Sequence, residues 1–302
     1  KDTLKSKFGG NIIKFESPLD DRLFVDIKKE GVKGISKEIV DQGGRYLVSV
    51  GYDNISRDGT LGMIHNFAFD KESYFVCVRT AVPESDPVLD SITPDVPNAG
   101  WSEREYMDLL GMKFTGHPKP KRLVLADDWP EGIHPLRKDV PYNLVPPAAE
   151  NVAYQMDECP EGCSVVPVGP FHPSLHEPNH WSIFVDGETI KGCDYRGFMT
   201  HRGIEKLGEN LSYRQFLPLT DRLDYTACMS CNLGWVWAVE HLLGIADQVP
   251  ARARAIRIIM AELSRIGAHM IWLGSHAADI GAMTVFLYSF REREFIYELF
   301  EA

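Results

Sequence analysis

The chain has 302 residues, of which 44% are hydrophobic and 25% are charged, and its formal net charge is −11. These values predict a globular protein with two domains, and the acidic balance disfavours a nucleic-acid surface, which needs clustered Lys and Arg. Six cysteines are too few for a disulfide scaffold and favour a reducing compartment. Because the sequence begins at Lys1 without Met or a signal segment and ends within a helical pattern, we expect a fragment.

The first ninety residues have the pattern of mixed helix and sheet. Residues 45–52 and 73–80 are rich in β-branched and aromatic side chains and are predicted strands, and the alternation in residues 63–69 favours a third. Cys77, in the second of these strands, is interpreted as a core residue because buried cysteines are usually inert.

A helix is predicted over residues 99–110, since Gly111 follows it as a helix end requires. From spacing alone we interpret the charged side chains of this helix as a solvated face with local ion pairs. The next segment, residues 116–139, is too rich in Pro and Gly for a helix, and we interpret it as a docking surface. The charged side chains of the helix predicted over residues 99–110 are those of Glu103, Arg104, Glu105 and Asp108.

These two segments resemble a known family. Their combined pattern is similar to the signature of the NuoC-type (30 kDa) subunit of respiratory complex I, a module that is also fused to the large subunit of formate-hydrogenlyase-type hydrogenases. The resemblance implies a structural role without a cofactor for residues 1–145. It rests on Glu103-Arg-Glu, Asp108, Gly111, Gly116-His-Pro, Asp128-Trp and His134-Pro-Leu-Arg-Lys-Asp.

Residues 146–164 are Pro-rich and are predicted to be a linker. Cys159 and Cys163 flank Pro-Glu-Gly within it. A zinc site needs two further ligands, and no suitably spaced residue follows, so metal binding there is disfavoured.

A small sheet is predicted next. Residues 165–168 and 181–185 have strand composition, and Asp186-Gly187 predicts a hairpin turn to residues 188–191. The loop between the first two strands holds His172 and His176 among prolines that stiffen it. Such a loop suits proton transfer or ligand binding, since His titrates near neutrality, but it is equally typical of a structural turn.

Helices are predicted over residues 200–210, 223–243, 251–273 and 289–301. The second is apolar nearly all round and is expected at the centre of a bundle. Residues 270–290 are apolar enough to imitate a membrane helix, but they contain His276 and Asp279, which are costly at bilayer depth. We interpret them as two buried helical pieces with a break near residues 274–281. The charges at residues 291–294 are interpreted as a solvated or subunit-facing side.

Residues 168–302 resemble the first part of the NuoD-type (49 kDa) subunit of complex I and its relative, the large subunit of group 4 [NiFe]-hydrogenases. The resemblance implies an α+β chain, in which an N-terminal α/β NuoC-like domain (1–145) and a linker (146–164) precede a truncated small-sheet and helical-bundle domain (165–302). The matching blocks are Gly169-Pro-Phe-His-Pro-Ser-Leu-His, His201-Arg-Gly-Ile-Glu-Lys, Thr220-Asp-Arg-Leu-Asp-Tyr, Ala238-Val-Glu, Val249-Pro-Ala-Arg-Ala, Glu262-Leu-Ser-Arg and Asp279-Ile-Gly-Ala-Met-Thr.

The hydrogenase branch holds nickel with four thiolates from two Cys-x2-Cys motifs, the first directly after an Asp-Arg-Val or Glu-Arg-Val. In this chain Asp224 and Ala227 fill those two thiolate positions. Cys228 and Cys231 lie four residues further on, about one helical turn away. Because Ala has no donor atom, no four-thiolate site is expected there, and we assign no metal ligand. One pair is half a metal site, and the chain has no second pair.

The complex I branch implies a quinone headgroup near His176 and Tyr225, with Asp279 coupled to the histidine. A tyrosine hydroxyl and an imidazolium can donate hydrogen bonds to quinone carbonyls and can supply protons. Asp279, expected in an apolar setting, would favour protonated His176. The surrounding pocket is expected to include His172, Glu177, Arg222 and Asp224.

One departure is Glu177-Pro178, which is the pattern of the hydrogenase branch, where complex I usually has Gly. The fusion of the two modules and Asp127-Asp128-Trp129-Pro130 also favour the formate-hydrogenlyase type. A carboxylate at Glu177 could close or repolarise the quinone pocket.

The overall expectation is a subunit of a membrane-bound NADH:quinone oxidoreductase-type enzyme, in the peripheral arm on the cytoplasmic face. Electrons from an iron–sulfur cluster in a partner subunit would reduce quinone, coupled to ion translocation, and this chain alone would bind no cofactor. The expected partners are a NuoB-like iron–sulfur subunit, a NuoI-like ferredoxin subunit and a NuoH-like membrane subunit. The alternatives are a group 4 hydrogenase large subunit and a catalytically silent scaffold.

Overall fold

The computed structural model describes residues 2–147, 156–171 and 178–302. The chain divides into two compact units. The first consists of Lys1–Val165 and Phe184–His201, and the second of Val166–Ile183 and Arg202–Ala302.

A five-stranded sheet with the order β1-β2-β5-β4-β3 forms the framework of the first unit. Strands β2 and β5 are parallel, and the other pairs are antiparallel. The three strands predicted from composition are confirmed as β3, β4 and β5. The strands are β1 (Ile12–Leu19), β2 (Arg22–Ile27), β3 (Arg45–Asn54), β4 (Thr60–Phe69) and β5 (Tyr74–Pro83).

One face of this sheet carries two hydrophobic clusters. Alternate residues of β4 point to the same face, and of these Met63 belongs to one cluster and Phe67 to the other. His65 lies between them and is 1% exposed. Cys77 is 5% exposed, which confirms it as a core residue. The helices of this part are α1 (Asp2–Phe8), α2 (Val32–Asp41) and the short α3 (Ile55–Asp58).

The helix predicted over residues 99–110 is confirmed as α4 (Gly100–Leu110), and Gly111 ends it at φ +75°. The solvated face predicted on it is wrong, because Glu103, Arg104 and Asp108 are buried, with exposures of 0%, 8% and 7%. Spacing along a helix shows which side chains share a face. It does not show that a neighbouring segment covers that face.

Each buried charge of α4 binds a neighbouring segment. The Glu103 carboxylate accepts hydrogen bonds from Ser91 Oγ (2.5 Å), Thr93 Oγ1 (2.6 Å) and the Ile92 N–H (2.7 Å). Asp108 Oδ2 accepts from three successive backbone N–H groups, those of residues 123–125. Arg104 donates to the carbonyls of residues 121 and 122. The helix therefore binds residues 91–93 before it and residues 121–125 after it. Residues 91–93 directly follow β6 (Val88–Asp90), which pairs in parallel with β7 (Lys113–Thr115).

A three-stranded sheet follows, with the order β10-β9-β8. Its strands are β8 (Ser164–Val168), β9 (His180–Asp186) and β10 (Thr189–Arg196). The predicted hairpin is confirmed, because β9 ends at Asp186 and Gly187 adopts φ +58°.

Helices dominate the second unit from Arg202 onward, but their bounds differ from the predictions. The helix expected over residues 200–210 is shortened to α5 (Ile204–Gly208), which begins after Gly203 at φ +63°. A helix that was not predicted, α6 (Tyr213–Thr220), follows it. Ser212 and Gln215 form a capping box at its start, which supplies the N-terminal hydrogen bonds that a new helix needs.

The helix expected over residues 223–243 starts five residues later, as α7 (Cys228–Leu243). The structure describes all of α7, and none of its residues is fully buried. Its expected place at the centre of a bundle is therefore wrong for this chain. Uniform apolarity predicted contacts on all sides, whereas Trp237, Leu242 and Leu243 are 49%, 70% and 58% exposed.

A long helix, α8 (Ala251–Asp279), and a final helix, α9 (Met283–Glu301), complete the second unit. The break is confirmed at the late edge of the predicted range, at Gly281 with φ +87°. The predicted burial of the two pieces is wrong, because Leu273, Ile280 and Leu287 are 49%, 85% and 61% exposed. Helix α8 runs through Gly274 without a break. A Cβ at this position would lie 3.3 Å from Ser289 Cβ and 3.5 Å from Phe286 Cα. This glycine lets the two helices approach closely. Among the residues described, no helix is long and apolar enough to cross a membrane.

Candidate functional site

The Thr220-Asp-Arg-Leu-Asp-Tyr block forms a turn between α6 and α7, which we call the Tyr225 turn (residues 220–227). Thr220 ends α6 and is 2% exposed. Its hydroxyl lies 2.7 Å from Asn232 Oδ1, in the second turn of α7, and 2.7 Å from the Leu217 carbonyl. A buried contact to α7 therefore holds one end of the turn.

Asp224 organises the other end of the turn. Its Oδ1 accepts hydrogen bonds from Thr226 N (3.1 Å) and Thr226 Oγ1 (2.7 Å), and its backbone carbonyl accepts from Ala227 N (3.0 Å). This is the local pattern that favours a turn over a helix at Asp residues, and it explains why α7 begins late. Arg222 donates to the Pro218 carbonyl. Of the predicted pocket residues, Asp224 thus binds the backbone next to Tyr225, and Arg222 binds the end of α6.

Tyr225 lies at the middle of this turn, and its side chain is 51% exposed. Asp221, earlier in the turn, has a buried Oδ1 with no hydrogen-bond partner among the described residues. The turn therefore has an exposed tyrosine side chain at its middle and a buried carboxylate oxygen at Asp221.

Asp279 is the last residue of α8 and is exposed, so its predicted apolar setting is not seen. The backbone turns directly after it, where Ala282 N donates to the Ala277 carbonyl (2.7 Å). His172, His176 and Glu177 lie outside the described residues. The pairing of Asp279 with His176 therefore stays a prediction. Of the predicted site residues, the structure brings Arg222, Asp224 and Tyr225 together in one turn.

Cys228 and Cys231 occupy the first turn of α7, and both are partly exposed. Across residues 2–147, 156–171 and 178–302, no group of three or more His, Cys, Asp or Glu side chains could hold a metal ion. Asp224 and Ala227, at the positions where the hydrogenase branch has thiolates, supply no sulfur.

Arg293 is a residue of this region that the sequence interpretation missed. Its guanidinium lies 4.1 Å from the ring centroid of Tyr297, and its Nε is buried without a hydrogen-bond partner among the described residues. Burial lowers its pKa, while negative charge on Glu294 and on Cys228 raises it. Of the two interpretations of residues 291–294, a solvated side does not fit the buried Arg293 Nε, and a subunit-facing side stays a prediction. The contact between Arg293 and Tyr297 could have been predicted from the sequence, because residues four apart in a helix are neighbours and a guanidinium is attracted to an aromatic ring.

The first unit contains an open groove of about 790 Å³, lined mainly by residues 121–131 and 194–199. Several of its charged side chains form ion pairs. Arg196 binds Asp127 over 2.6 Å, and Lys119 and Lys121 both bind Asp157. Burial opposes ionisation of Asp157, but hydrogen bonds from the two lysines lower its pKa to about 2. Nothing in this charge balance selects a ligand.

Comparison with known proteins gives one family match and several relatives. Residues 25–144 match the family "Respiratory-chain NADH dehydrogenase, 30 Kd subunit". The chain is 37% identical over 273 residues to the C/D subunit of NADH-quinone oxidoreductase from Sulfurihydrogenibium sp. (strain YO3AOP1), covering 80% of this chain and 46% of the relative.

Two relatives come from Escherichia coli (strain K12). Hydrogenase-4 component G is 35% identical over 297 residues, covering 96% of this chain and 53% of the relative. Formate hydrogenlyase subunit 5 is 35% identical over 298 residues, covering 96% and 52%. The chain spans about half the length of the curated relatives that it matches. The resemblances drawn from the sequence blocks are confirmed by these homologues and by the 30 kDa subunit domain.

Proposed function

We propose that this chain, which carries a 30 kDa subunit domain and is homologous to the C/D subunit of NADH-quinone oxidoreductase and to hydrogenase-4 component G, is a fused subunit of a complex I-like oxidoreductase. Its second unit contributes to a site at which quinone is reduced. The observation that carries this proposal is the Tyr225 turn, which holds an exposed phenol on a hydrogen-bonded backbone.

The chemistry of the turn suits a quinone carbonyl. The Tyr225 hydroxyl can donate a hydrogen bond to a carbonyl oxygen. Charge that develops on this oxygen during reduction strengthens the bond, because a hydrogen bond to an ionised acceptor is roughly twice as strong as a neutral one. Asp224 and Thr220 fix the backbone on either side of Tyr225, which reduces the conformational entropy lost when the hydroxyl binds its target.

His176 and Asp279 have the roles of proton donor and charge partner in this proposal. Reduction of a quinone to a quinol takes up two electrons and two protons, so a donor besides tyrosine is needed at the second carbonyl. An imidazolium at His176 can supply it, and a carboxylate at Asp279 would favour the charged imidazole if the two approach. His172, Glu177 and Arg222 complete the proposed pocket.

The remaining roles belong to partners. Electrons would reach the quinone from an iron–sulfur cluster in a NuoB-like subunit, supplied by a NuoI-like ferredoxin subunit. Protonation would be coupled to ion translocation through a NuoH-like membrane subunit. The chain would then lie in the peripheral arm on the cytoplasmic face of the membrane. In the first unit, α4 binds its neighbouring segments through buried charges, which suits a rigid assembly domain.

A hydrogenase-type subunit is the second candidate. It is favoured by the matches with hydrogenase-4 component G and formate hydrogenlyase subunit 5, which each cover 96% of this chain. Asp224 and Ala227 count against it, because neither side chain has the sulfur that a nickel thiolate site needs. A scaffold without catalysis is the third candidate.

One preparation separates the three candidates. The native assembly would be assayed for reduction of a short-chain ubiquinone by a reduced viologen, for binding of a quinone analogue, and for nickel by elemental analysis. Quinone reduction and analogue binding without stoichiometric nickel support the proposal. Nickel with hydrogen-dependent viologen reduction contradicts it and supports the second candidate. An intact assembly without quinone reduction, analogue binding or nickel supports the scaffold.

A further inference from the structure

The proposed function leaves Cys228 and Cys231 without a role, and their geometry is that of a closable dithiol. They are the first and fourth residues of α7. Helical rise and rotation place Cα atoms three residues apart at about 5 Å, which is inside the range of roughly 4.4–6.8 Å that disulfides require. The Cβ atoms of such a pair lie about 5–6 Å apart in a regular helix, so they must approach to roughly 4 Å for a disulfide to close. The cysteines therefore share one side of the helix at a spacing that a small adjustment of the first turn allows a disulfide to span.

The start of α7 can also adjust to a cross-link. Its N-cap, Ala227, makes no side-chain hydrogen bond to the helix. The first backbone N–H groups of any helix lack intrahelical partners, and Ser230 N donates to the Ala227 carbonyl (3.0 Å) rather than in the regular helical pattern. Small changes of the first turn therefore break few helical hydrogen bonds.

Both cysteines are accessible to a small reagent, and Arg293 lies near Cys228. Thiol–disulfide exchange proceeds by attack of a sulfur that carries negative charge. Burial lowers the pKa of Arg293, and negative charge on Glu294 and on Cys228 acts in the opposite direction, so Arg293 and Cys228 are close enough to interact electrostatically. The Arg293 Nε has no hydrogen-bond partner in the described part of the chain, and both cysteines are partly exposed. A small disulfide can therefore reach the pair.

We propose that Cys228 and Cys231 form a reversible disulfide by exchange with a low-molecular-weight disulfide. Cys228 attacks one sulfur of the reagent, which forms a mixed disulfide and releases one thiol. Cys231 then attacks the Cys228 sulfur and releases the second thiol. The protein loses two electrons and two protons, and the reagent is reduced to two thiols. An excess of small thiol reverses both steps.

Oxidation would constrain the proposed quinone site, because Cys228 lies three residues after Tyr225. The cross-link holds the first turn of α7 in one conformation and thereby limits the Tyr225 turn. This consequence for turnover rests on the proposed function, whereas the disulfide itself does not.

The test is a peptide-mass measurement on the native assembly. Trypsin cuts after Arg222 and Arg252, so one peptide, residues 223–252, contains both cysteines and no other. After equilibration with oxidised glutathione and alkylation, this peptide should be unalkylated and lighter by two hydrogens. Dithiothreitol should restore two alkylation sites. Cys193 and Cys77 lie in separate tryptic peptides, residues 192–196 and 72–79, and serve as internal references.

Two outcomes overturn the proposal: alkylation of both cysteines after oxidation, or a stable glutathione adduct on either one in the wild-type protein. In Cys231→Ser the second step is impossible, and the glutathione adduct should accumulate on Cys228. Turnover is then compared before and after oxidation in both proteins. If the disulfide forms but the assembly has no quinone reductase activity at all, the dithiol proposal stands and the proposed function fails.

Discussion

The hydroxyl of Thr220 lies 2.7 Å from Asn232 Oδ1, across the turn that contains Tyr225. Thr220 is 2% exposed and Asn232 is half-buried, so this hydrogen bond is partly shielded from water. It connects the end of α6 to the second turn of α7, and the backbone between them has few ways to move without breaking it.

Thr220→Val should therefore lower the free energy of unfolding by roughly 1–2 kcal/mol, because it removes the buried hydroxyl, whose one proton is shared between Asn232 Oδ1 and the Leu217 carbonyl. Thr220→Ser keeps the hydroxyl and is the matched control. Urea denaturation monitored by tryptophan fluorescence measures the difference. Equal urea midpoints for the valine and serine variants would show that this contact does not hold the turn.

Glu103 should be a main determinant of stability in the first unit. Glu103→Ala leaves Ser91, Thr93 and the Ile92 N–H buried without their acceptor, and we expect a loss of roughly 2–4 kcal/mol. Glu103→Gln keeps the shape and one acceptor oxygen and should lose less. Thermal unfolding, followed by circular dichroism, measures the melting temperatures, which should fall in the order wild type, Glu103→Gln, Glu103→Ala. A wild-type melting temperature for Glu103→Ala would contradict the structural role of this carboxylate.

His65 should make the first unit sensitive to acid. Burial lowers the pKa of His65 from 6.5 to about 4, so the folded protein binds a proton less readily than the unfolded chain. The folded state is therefore most stable above pH 6.5, where His65 is neutral in both states, and it loses free energy of unfolding as the pH falls toward 4. The loss amounts to about 3 kcal/mol, because one pKa unit corresponds to about 1.4 kcal/mol.

The check is urea unfolding from pH 7.5 to pH 4.0 for the wild type and for His65→Gln, which has no titrating group at this position. The wild type should lose more stability than the variant over this range. The same dependence on pH in both proteins would assign the acid sensitivity to other groups.

Gly274 and Gly267 lie on the same helix and give a matched pair of substitutions. A Cβ at Gly267 meets nothing within 4 Å, whereas one at Gly274 would lie 3.3 Å from Ser289 Cβ. Alanine gains roughly 1 kcal/mol of helix propensity over glycine at either position. Gly267→Ala should therefore raise the melting temperature more than Gly274→Ala.

A larger side chain at Gly274 should separate α8 from α9, and we expect Gly274→Leu to lose roughly 1–3 kcal/mol. Differential scanning calorimetry of the three variants measures these shifts. A melting temperature for Gly274→Leu equal to or above that of Gly267→Ala would contradict the close approach of the helices.

Local sequence pattern predicted much of the first unit. Strands β3, β4 and β5 were predicted because their β-branched residues are concentrated in short runs, and the end of α4 because Gly111 tolerates a left-handed conformation. The burial of Glu103, Arg104 and Asp108 was not predictable from spacing, since the groups that bind their side chains lie about ten to eighteen residues away.

In the second unit, the blocks of polar residues pointed to the right segment but not to its conformation. Residues 223–227 were assigned to a helix because they adjoin an apolar run, whereas Asp224 binds Thr226 and keeps them in a turn. The break at Gly281 was within the predicted range, but Gly274 was misinterpreted as part of it. A small residue in a helix weakens that helix or permits close packing, and only the neighbouring helix distinguishes the two.

The role of Tyr225 is tested most directly by one pair of variants in the native assembly. Tyr225 and Tyr213 belong to the same unit and are both 51% exposed, so Tyr213→Phe controls for the loss of an exposed hydroxyl. Quinone reductase rates would be measured at saturating donor, together with binding of a quinone analogue. Tyr225→Phe should lower the rate by roughly 100-fold, the lower range for loss of a positioned proton donor, while Tyr213→Phe stays at the wild-type rate. A wild-type rate in Tyr225→Phe would contradict the proposed site.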